Sequence, residues 1–266
     1  MRILVTNDDG INAPGLKVLR EIAAKLSDDV WVAAPDTNQS GASHSLTLHE
    51  PLRCQEVAER CFAVRGTPTD CVIMGVRHLL LDTPPDLILS GVNRGANIAD
   101  DVTYSGTIAA AIEGSMLGIN SIALSQTTDF AKGDEGIPWN TALTHGPNVI
   151  RKALSADLPP EILVNINFPP CAADEVAGTK TVRQGRRDQN LIHIDERLDG
   201  WKTPYYWFAF ERGRSNPAND TDLWAIYNNY IAVTPLQFDL THRETMADLE
   251  TAMAAKAAEK HGRESG

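Results

Sequence analysis

The sequence predicts an α/β protein: a doubly wound, mostly parallel, Rossmann-like sheet with a C-terminal antiparallel elaboration and a terminal helix. Three observations predict it. Short apolar runs recur through the first 168 residues: RILVT at 2–6, VWVAA at 30–34, the apolar residues 87–89, SIALS at 121–125 and the run at 162–168. Helical patterns separate them, which is the alternation that builds parallel sheets through crossover helices. Polar loops rich in Gly, Ser and Asn follow several runs, where open parallel sheets place their ligand sites.

Residues 2–6 read as a buried strand. Pro14 suits the first turn of a helix, and Leu16, Leu19, Ile22, Ala23 and Leu26 then share one face at helical spacing. Residues 30–34 form a second strand closed by Pro35, which makes the first 35 residues a strand–helix–strand unit. Residues 36–50 are polar and long for a connection, a feature of functional loops. A strand is expected at 61–65 and a helix from Thr67-Pro68 to about Leu81. After the strand at 87–89, residues 91–104 form a second polar loop. Ser105-Gly106-Thr107 opens an Ala-rich helix that Gly118 stops. A strand at 121–125, a helix around 140–155 and a strand at 162–168 complete a core spanning 1–170.

Beyond Pro169-Pro170 the pattern changes. Strand-like pieces at 179–184, 205–210 and 231–233 alternate with charged loops, which predicts an antiparallel elaboration within 171–240. The run Tyr205-Tyr206-Trp207-Phe208 suits packing or a subunit contact, and 242–261 reads as a helix with Leu249, Met253 and Ala257 on one face. Residues 171–266 are therefore expected to be a β-rich elaboration with a C-terminal helix, the region in which the family resemblance given below implies oligomerisation.

Composition narrows the function. Hydrophobic content of 42% and charged content of 22% exclude a disordered chain. A net charge of −11 argues against nucleic acid or an anionic membrane as the main partner, while leaving small phosphates open if a cation reverses the local sign. No apolar run approaches the roughly 20 residues needed to span a bilayer. The chain starts on a strand, so no signal peptide is expected. Cys54, Cys61, Cys71 and Cys171 match no zinc spacing and read as reduced thiols of a cytoplasmic protein. The seven histidines show no metal-binding pair, His44 being the least settled. No glycine fingerprint follows the first strand, which argues against a dinucleotide cofactor.

The informative segment is Asn7-Asp8-Asp9-Gly10, straight after the first strand. Adjacent carboxylates repel unless water or a cation separates them. A turn with an Asp cap is the alternative reading. Three loops are predicted on one sheet edge: 7–10, 36–45 and 91–105. The second carries Asn38-Gln39-Ser40-Gly41 and the third Asn93 and Asn97 between glycines, so hydroxyl and amide oxygens are available to complete an oxygen-only site for Mg²⁺ or Mn²⁺. Ser105-Gly106-Thr107 is either an ordinary N-cap or an anion site at a helix N-terminus.

These segments resemble the SurE survival proteins, metal-dependent nucleoside monophosphate phosphatases. The matching blocks are ILVTNDDGINAPG (3–15), APDTNQSGASHSLT (34–47), GTPTDCV (66–72), PDLILSGVNRGAN (85–97) and DDVTYSGTIAAAIEG (100–114), with NINFP (165–169) and TPL (234–236) further on. The resemblance implies that Asp8, Asp9, Ser40 and Asn93 hold one divalent metal ion per subunit (Mg²⁺ or Mn²⁺, or Co²⁺). It also implies that Asn97, Ser105, Gly106 and Thr107 surround the substrate phosphate, with Asp8 and Asp9 catalytic. The implied reaction is hydrolysis of nucleoside 5′-monophosphates, often 3′-monophosphates and in some members short polyphosphate. The implied assembly is a homodimer or homotetramer with exchanged C-terminal segments. Whether Asp8 holds or deprotonates water or attacks phosphorus itself stays open at this level. An aspartyl-phosphate phosphatase and a non-catalytic nucleotide- or metal-binding module are the alternatives.

Overall fold

The computed structural model describes residues 1–128, 136–187, 192–210 and 215–261. It divides into two compact units, Met1–Leu236 and Gln237–Gly266. In the first, strands β1 (Arg2–Thr6), β2 (Asp29–Pro35), β3 (Arg53–Ala58), β4 (Cys61–Arg65), β5 (Leu87–Arg94), β6 (Asn120–Gln126), β7 (Ile162–Phe168), β8 (Gly178–Thr181) and β11 (Tyr230–Gln237) form one sheet. Its order is β3-β4-β2-β1-β5-β6-β7-β11-β8. The β1–β2, β1–β5, β2–β4, β5–β6, β6–β7 and β11–β8 pairs are parallel, and β3–β4 is antiparallel.

Helices α1 (Pro14–Ala24), α2 (Pro68–Met74), α3 (Gly106–Met116) and α4 (Trp139–Leu154) cover the sheet. Side chains alternate along β1 to serve both faces. Ile3 and Val5 join Leu16, Leu19 and Ile22 of α1 and Val149 and Ile150 of α4 in one core. Leu4 joins Cys71 and Val72 of α2 and Ala110 of α3 in the other. This double burial explains why β1 is a continuous apolar run rather than an alternating one.

Three expectations are corrected. Strand β3 extends the sheet where no strand was expected. Nearly all of it is exposed, so it carries no apolar signal. The pieces near 179–184 and 231–233 do not form an antiparallel elaboration: β8 and β11 pair in parallel within the main sheet. Ile231 and Ala232 are successive residues buried in two different cores, the mark of a strand covered on both faces. The antiparallel element is the hairpin of β9 (Ile192–Leu198) and β10 (Pro204–Phe210). The helix expected from Thr67 to Leu81 ends as α-helix at Met74 and continues as a π-helical turn over Gly75–Leu79. In the second unit α6 spans Met246–His261, with Leu249 and Met253 exposed and the side chain of Ala257 outside those described. No helix among the described residues is long and apolar enough to cross a membrane.

Candidate metal and phosphate site

The site starts where β1 ends. Asn7 and Asp8 are buried, and the Asn7 side chain donates to the Gly10 carbonyl at 3.0 Å, closing the turn. The neighbouring loops close on this turn. The Gln39 N–H donates to the Asp8 carbonyl at 2.8 Å, which fixes Ser40 one residue from the Asp8 backbone. The Ser40 N–H in turn donates to Asn38 Oδ1 at 2.7 Å. From the other side, the Arg94 N–H donates to Asp9 Oδ2 at 3.3 Å.

β5 reaches this point through an irregularity between Ser90 and Asn93. Gly91 sits at φ +131°, and a Cβ there would lie 2.2 Å from the Leu124 carbonyl oxygen, so only glycine permits the bend. The bend leaves Asn93 partly buried, with its amide nitrogen donating to the Gly95 carbonyl at 3.0 Å. The amide oxygen is then the end available to a cation.

α3 arrives with its N-terminus against Asp8. The Thr107 hydroxyl donates to Asp8 Oδ1 at 2.5 Å across 99 residues of sequence. A Cβ on Gly106 would lie 2.8 Å from Asp8 Cβ and 3.1 Å from Asp8 Oδ2. Gly106 therefore lets the helix end approach the carboxylate itself. Ser105 Oγ accepts from the Ile108 N–H at 3.1 Å and caps the helix, while the N–H groups at the first two positions have no intrahelical acceptor. The helix dipole adds partial positive charge there.

Burial pushes the Asp8 carboxyl up to about 6. The Asp9 charge adds to the rise, and the Thr107 hydrogen bond opposes it. Burial also raises Asp9, against the Arg94 N–H and charge. Two neighbouring carboxylates that both resist ionisation form a site that a divalent cation relieves. Among the described residues no group of three or more His, Cys, Asp or Glu converges. A cation held by the Asp8–Asp9 pair would have to take its further ligands from neutral oxygens, and the nearby loops carry Ser40 Oγ and Asn93 Oδ1, of the hard type suited to Mg²⁺ or Mn²⁺.

Asn97 is placed differently from the other expected site residues. It is buried, and its amide donates to Ser125 Oγ at 2.9 Å. Its N–H donates to Asn167 Oδ1 at 2.8 Å, and its carbonyl accepts from Asn165 Nδ2 at 2.8 Å and Asn167 Nδ2 at 3.1 Å. These three side chains hold the 91–104 loop down and were not foreseen. Polar residues two apart on one face of a buried strand were the available signal. His44 bonds to Glu113 at 3.0 Å and Ser43 to the Thr103 carbonyl at 2.9 Å, so these residues pin the 36–50 loop over α3 and its entry turn.

Comparisons with known proteins identify the family. The family model described as "Survival protein SurE" matches residues 3–191. The chain is 61% identical over 246 residues to the 5′-nucleotidase SurE of Methylobacterium nodulans, covering 92% of this chain and 97% of that one. It is 56% identical over 260 residues to the 5′-nucleotidase SurE of Parvibaculum lavamentivorans, covering 98% and 94%. The crystal structure of the SurE protein from Aquifex aeolicus superposes with a TM-score of 0.82 at 38% identity, covering 95% of this chain and all of that one. A family match over residues 3–191 and relatives 56–61% identical over nearly the whole chain show that the chain belongs to the SurE survival protein family.

Proposed function

We propose that this chain is a 5′-nucleotidase, a divalent-metal-dependent phosphomonoesterase that converts nucleoside 5′-monophosphates to nucleoside and phosphate. The same site suits 3′-monophosphates and short polyphosphate, because its contacts are to the phosphoryl group. The observation that carries the reading is the Asp8–Asp9 pair at the end of β1 with the N-terminus of α3 pressed against it. The relatives' names support the reaction class.

Asp8, Asp9, Ser40 and Asn93 would hold one Mg²⁺, Mn²⁺ or Co²⁺ ion, which when bound supplies Lewis-acid charge and an oriented water. The Thr107 hydroxyl fixes one Asp8 oxygen, leaving the other to face the ligand side. The Thr107 N–H already serves the Asp8 carboxylate, so the start of α3 would offer the Gly106 N–H and its positive dipole end to the phosphoryl oxygens, where negative charge grows during the reaction. Ser105 retains its hydroxyl proton for the same purpose. Asn97 contributes through the loop it anchors, since its amide is engaged with Ser125. Four free thiols support a reducing, cytoplasmic setting.

We also propose self-association through the β9–β10 hairpin and α6. Tyr205 and Trp207 alternate with Tyr206 and Phe208, so both faces of the ribbon carry exposed aromatics. A two-stranded ribbon is marginal in water, and a second copy covering it would supply the missing core.

The test is phosphate release from 5′- and 3′-nucleoside monophosphates by metal-stripped enzyme, with and without Mn²⁺ or Mg²⁺. Metal-dependent release is expected, and no release with any metal contradicts the proposal.

A further inference from the structure

A cavity of about 400 Å³ lies beside the site, lined by Asp36, Thr37, Gln39, Thr47, Glu50, Arg65, Gly66 and Thr67. That size falls within the roughly 300–1,000 Å³ typical of small-molecule sites. We infer that it seats the nucleoside end of the substrate, with Arg65 and Glu50 as the recognising side chains. The inference rests on the nucleotidase reading above.

The position supports it. The cavity occupies the carboxyl ends of β2 and β4, and β1, β2 and β4 are consecutive neighbours in the sheet. Asp36 follows β2, the neighbour of β1, and Arg65 ends β4, the next strand out, and adjacent strands lie about 4.8 Å apart. A ribose between phosphate and base spans such an interval. Residues of its lining also brace the turn that carries Asp8 and the start of α3. Gln39 lines the cavity, and its N–H holds the Asp8 carbonyl. Thr37 lines it, and its carbonyl carbon would lie 3.2 Å from a Cβ on Gly10. Thr67 lines it, and the next residue, Pro68, packs within 3.2 Å of the Cβ position of Gly106.

The cavity is preformed. Buried Asp70 accepts from the Thr47 N–H at 3.1 Å, the Thr47 hydroxyl at 2.6 Å and the Thr67 N–H at 2.8 Å. The Thr67 hydroxyl donates to the Ser45 carbonyl at 2.7 Å. The 45–50 stretch is thereby clamped to the start of α2.

The chemistry of the lining fits a nucleoside. Asp36 is already engaged by the Thr37 hydroxyl at 3.3 Å. Arg65 and Glu50 are exposed charges of opposite sign that make no ion pair or side-chain hydrogen bond among the described residues. A guanidinium supplies donors for ring nitrogens and carbonyl oxygens of a base. A carboxylate supplies acceptors for amino groups or sugar hydroxyls.

The experiment compares wild type with Arg65→Gln and Glu50→Gln, both surface changes. Hydrolysis is measured for AMP, GMP, UMP and CMP and for p-nitrophenyl phosphate, which carries phosphate without nucleoside. Binding of adenosine and guanosine is measured by calorimetry on the Mn²⁺-loaded enzyme. The inference expects kcat/KM for at least one nucleotide to fall tenfold or more relative to p-nitrophenyl phosphate in each variant, with KM carrying the change. Affinity for the matching nucleoside falls by a similar factor. An unchanged ratio with unchanged nucleoside affinity overturns it. Failure of wild type to hydrolyse p-nitrophenyl phosphate and every nucleotide would instead overturn the nucleotidase reading.

Discussion

The sheet edge at Asp8 and the hairpin at 192–210 invert the usual distribution of polarity in opposite ways. At the sheet edge polar groups are buried: Asp8, Asn97, Thr107, Ser125, Asn165 and Asn167 are all nearly inaccessible, and each is hydrogen-bonded across a long sequence separation. On the hairpin apolar groups are exposed, with Phe208 at 76% and Trp207 at 59%. Buried polar groups cost free energy unless they are paired, and exposed aromatics waste the burial that would stabilise the fold. In the proposed reading both departures serve a partner: an ion and a phosphate at the one, a second apolar surface at the other. The first is built by loops converging from distant sequence. The second is local.

The largest effect expected from breaking this contrast comes from the carboxylates. Asp8→Asn should reduce metal-dependent phosphate release by more than the 10–100-fold typical of losing a group that merely supports a ligand. The same change should stabilise the metal-free protein, because it removes a buried carboxylate whose neighbour is also acidic. The sign follows from the raised Asp8 carboxyl at about 6. The folded state holds the proton more tightly than the unfolded chain. Metal-free stability should therefore fall as pH rises from about 4 to about 6, by on the order of 1–3 kcal/mol, and Asp8→Asn should flatten that slope in melts across this range. Metal binding runs the other way, since the ion needs the carboxylate: Mn²⁺ affinity should weaken as pH drops below about 6.

A smaller effect is expected one step back from the ion. Thr107→Val keeps the shape of the side chain and removes the donor to Asp8 Oδ1. Metal affinity should fall roughly 10–100-fold while the fold persists, read by calorimetry with Mn²⁺. Asn167→Leu leaves the Asn97 N–H and carbonyl without two of their partners, and melts should show a loss of about 1–3 kcal/mol together with reduced activity. The hairpin should respond in the opposite manner. Trp207→Ser with Phe208→Ser should lower the mass of the assembly seen by light scattering and leave Mn²⁺ affinity within about twofold. If that double change abolishes metal binding, the two regions are not separable and the contrast fails.

Local patterns were legible in the sequence, at the Asp8 turn and in the aromatic strand at 204–210 alike, and long-range pairings were not, for a physical reason. RILVT followed by Asn-Asp-Asp-Gly is a local pattern: a doubly buried strand needs a continuous apolar run, and paired acids at its end need a cation. The N-cap at Ser105 and the stop at Gly118 are local too, and both stand where expected. Strand β3 was invisible because an exposed edge strand paired with β4 needs no apolar face. The parallel pairing of β8 with β11 was invisible because pairing sense is decided by what covers each face, here Leu223, Ala225 and Ile226 of helix α5 (Asp222–Tyr227). Asn165 and Asn167 sat in plain view within β7, but their target, Asn97, lies about 70 residues away.

The most direct test of the central claim is calorimetric titration of Mn²⁺ into metal-stripped wild type, Asp8→Asn and Asp9→Asn at pH 7.5, with melts confirming that all three are folded. One ion per subunit in wild type, lost or severely weakened in both folded variants, is the predicted result. Equal Mn²⁺ affinity in wild type and both variants would contradict the account, because the paired carboxylates at the end of β1 would then not be what holds the ion.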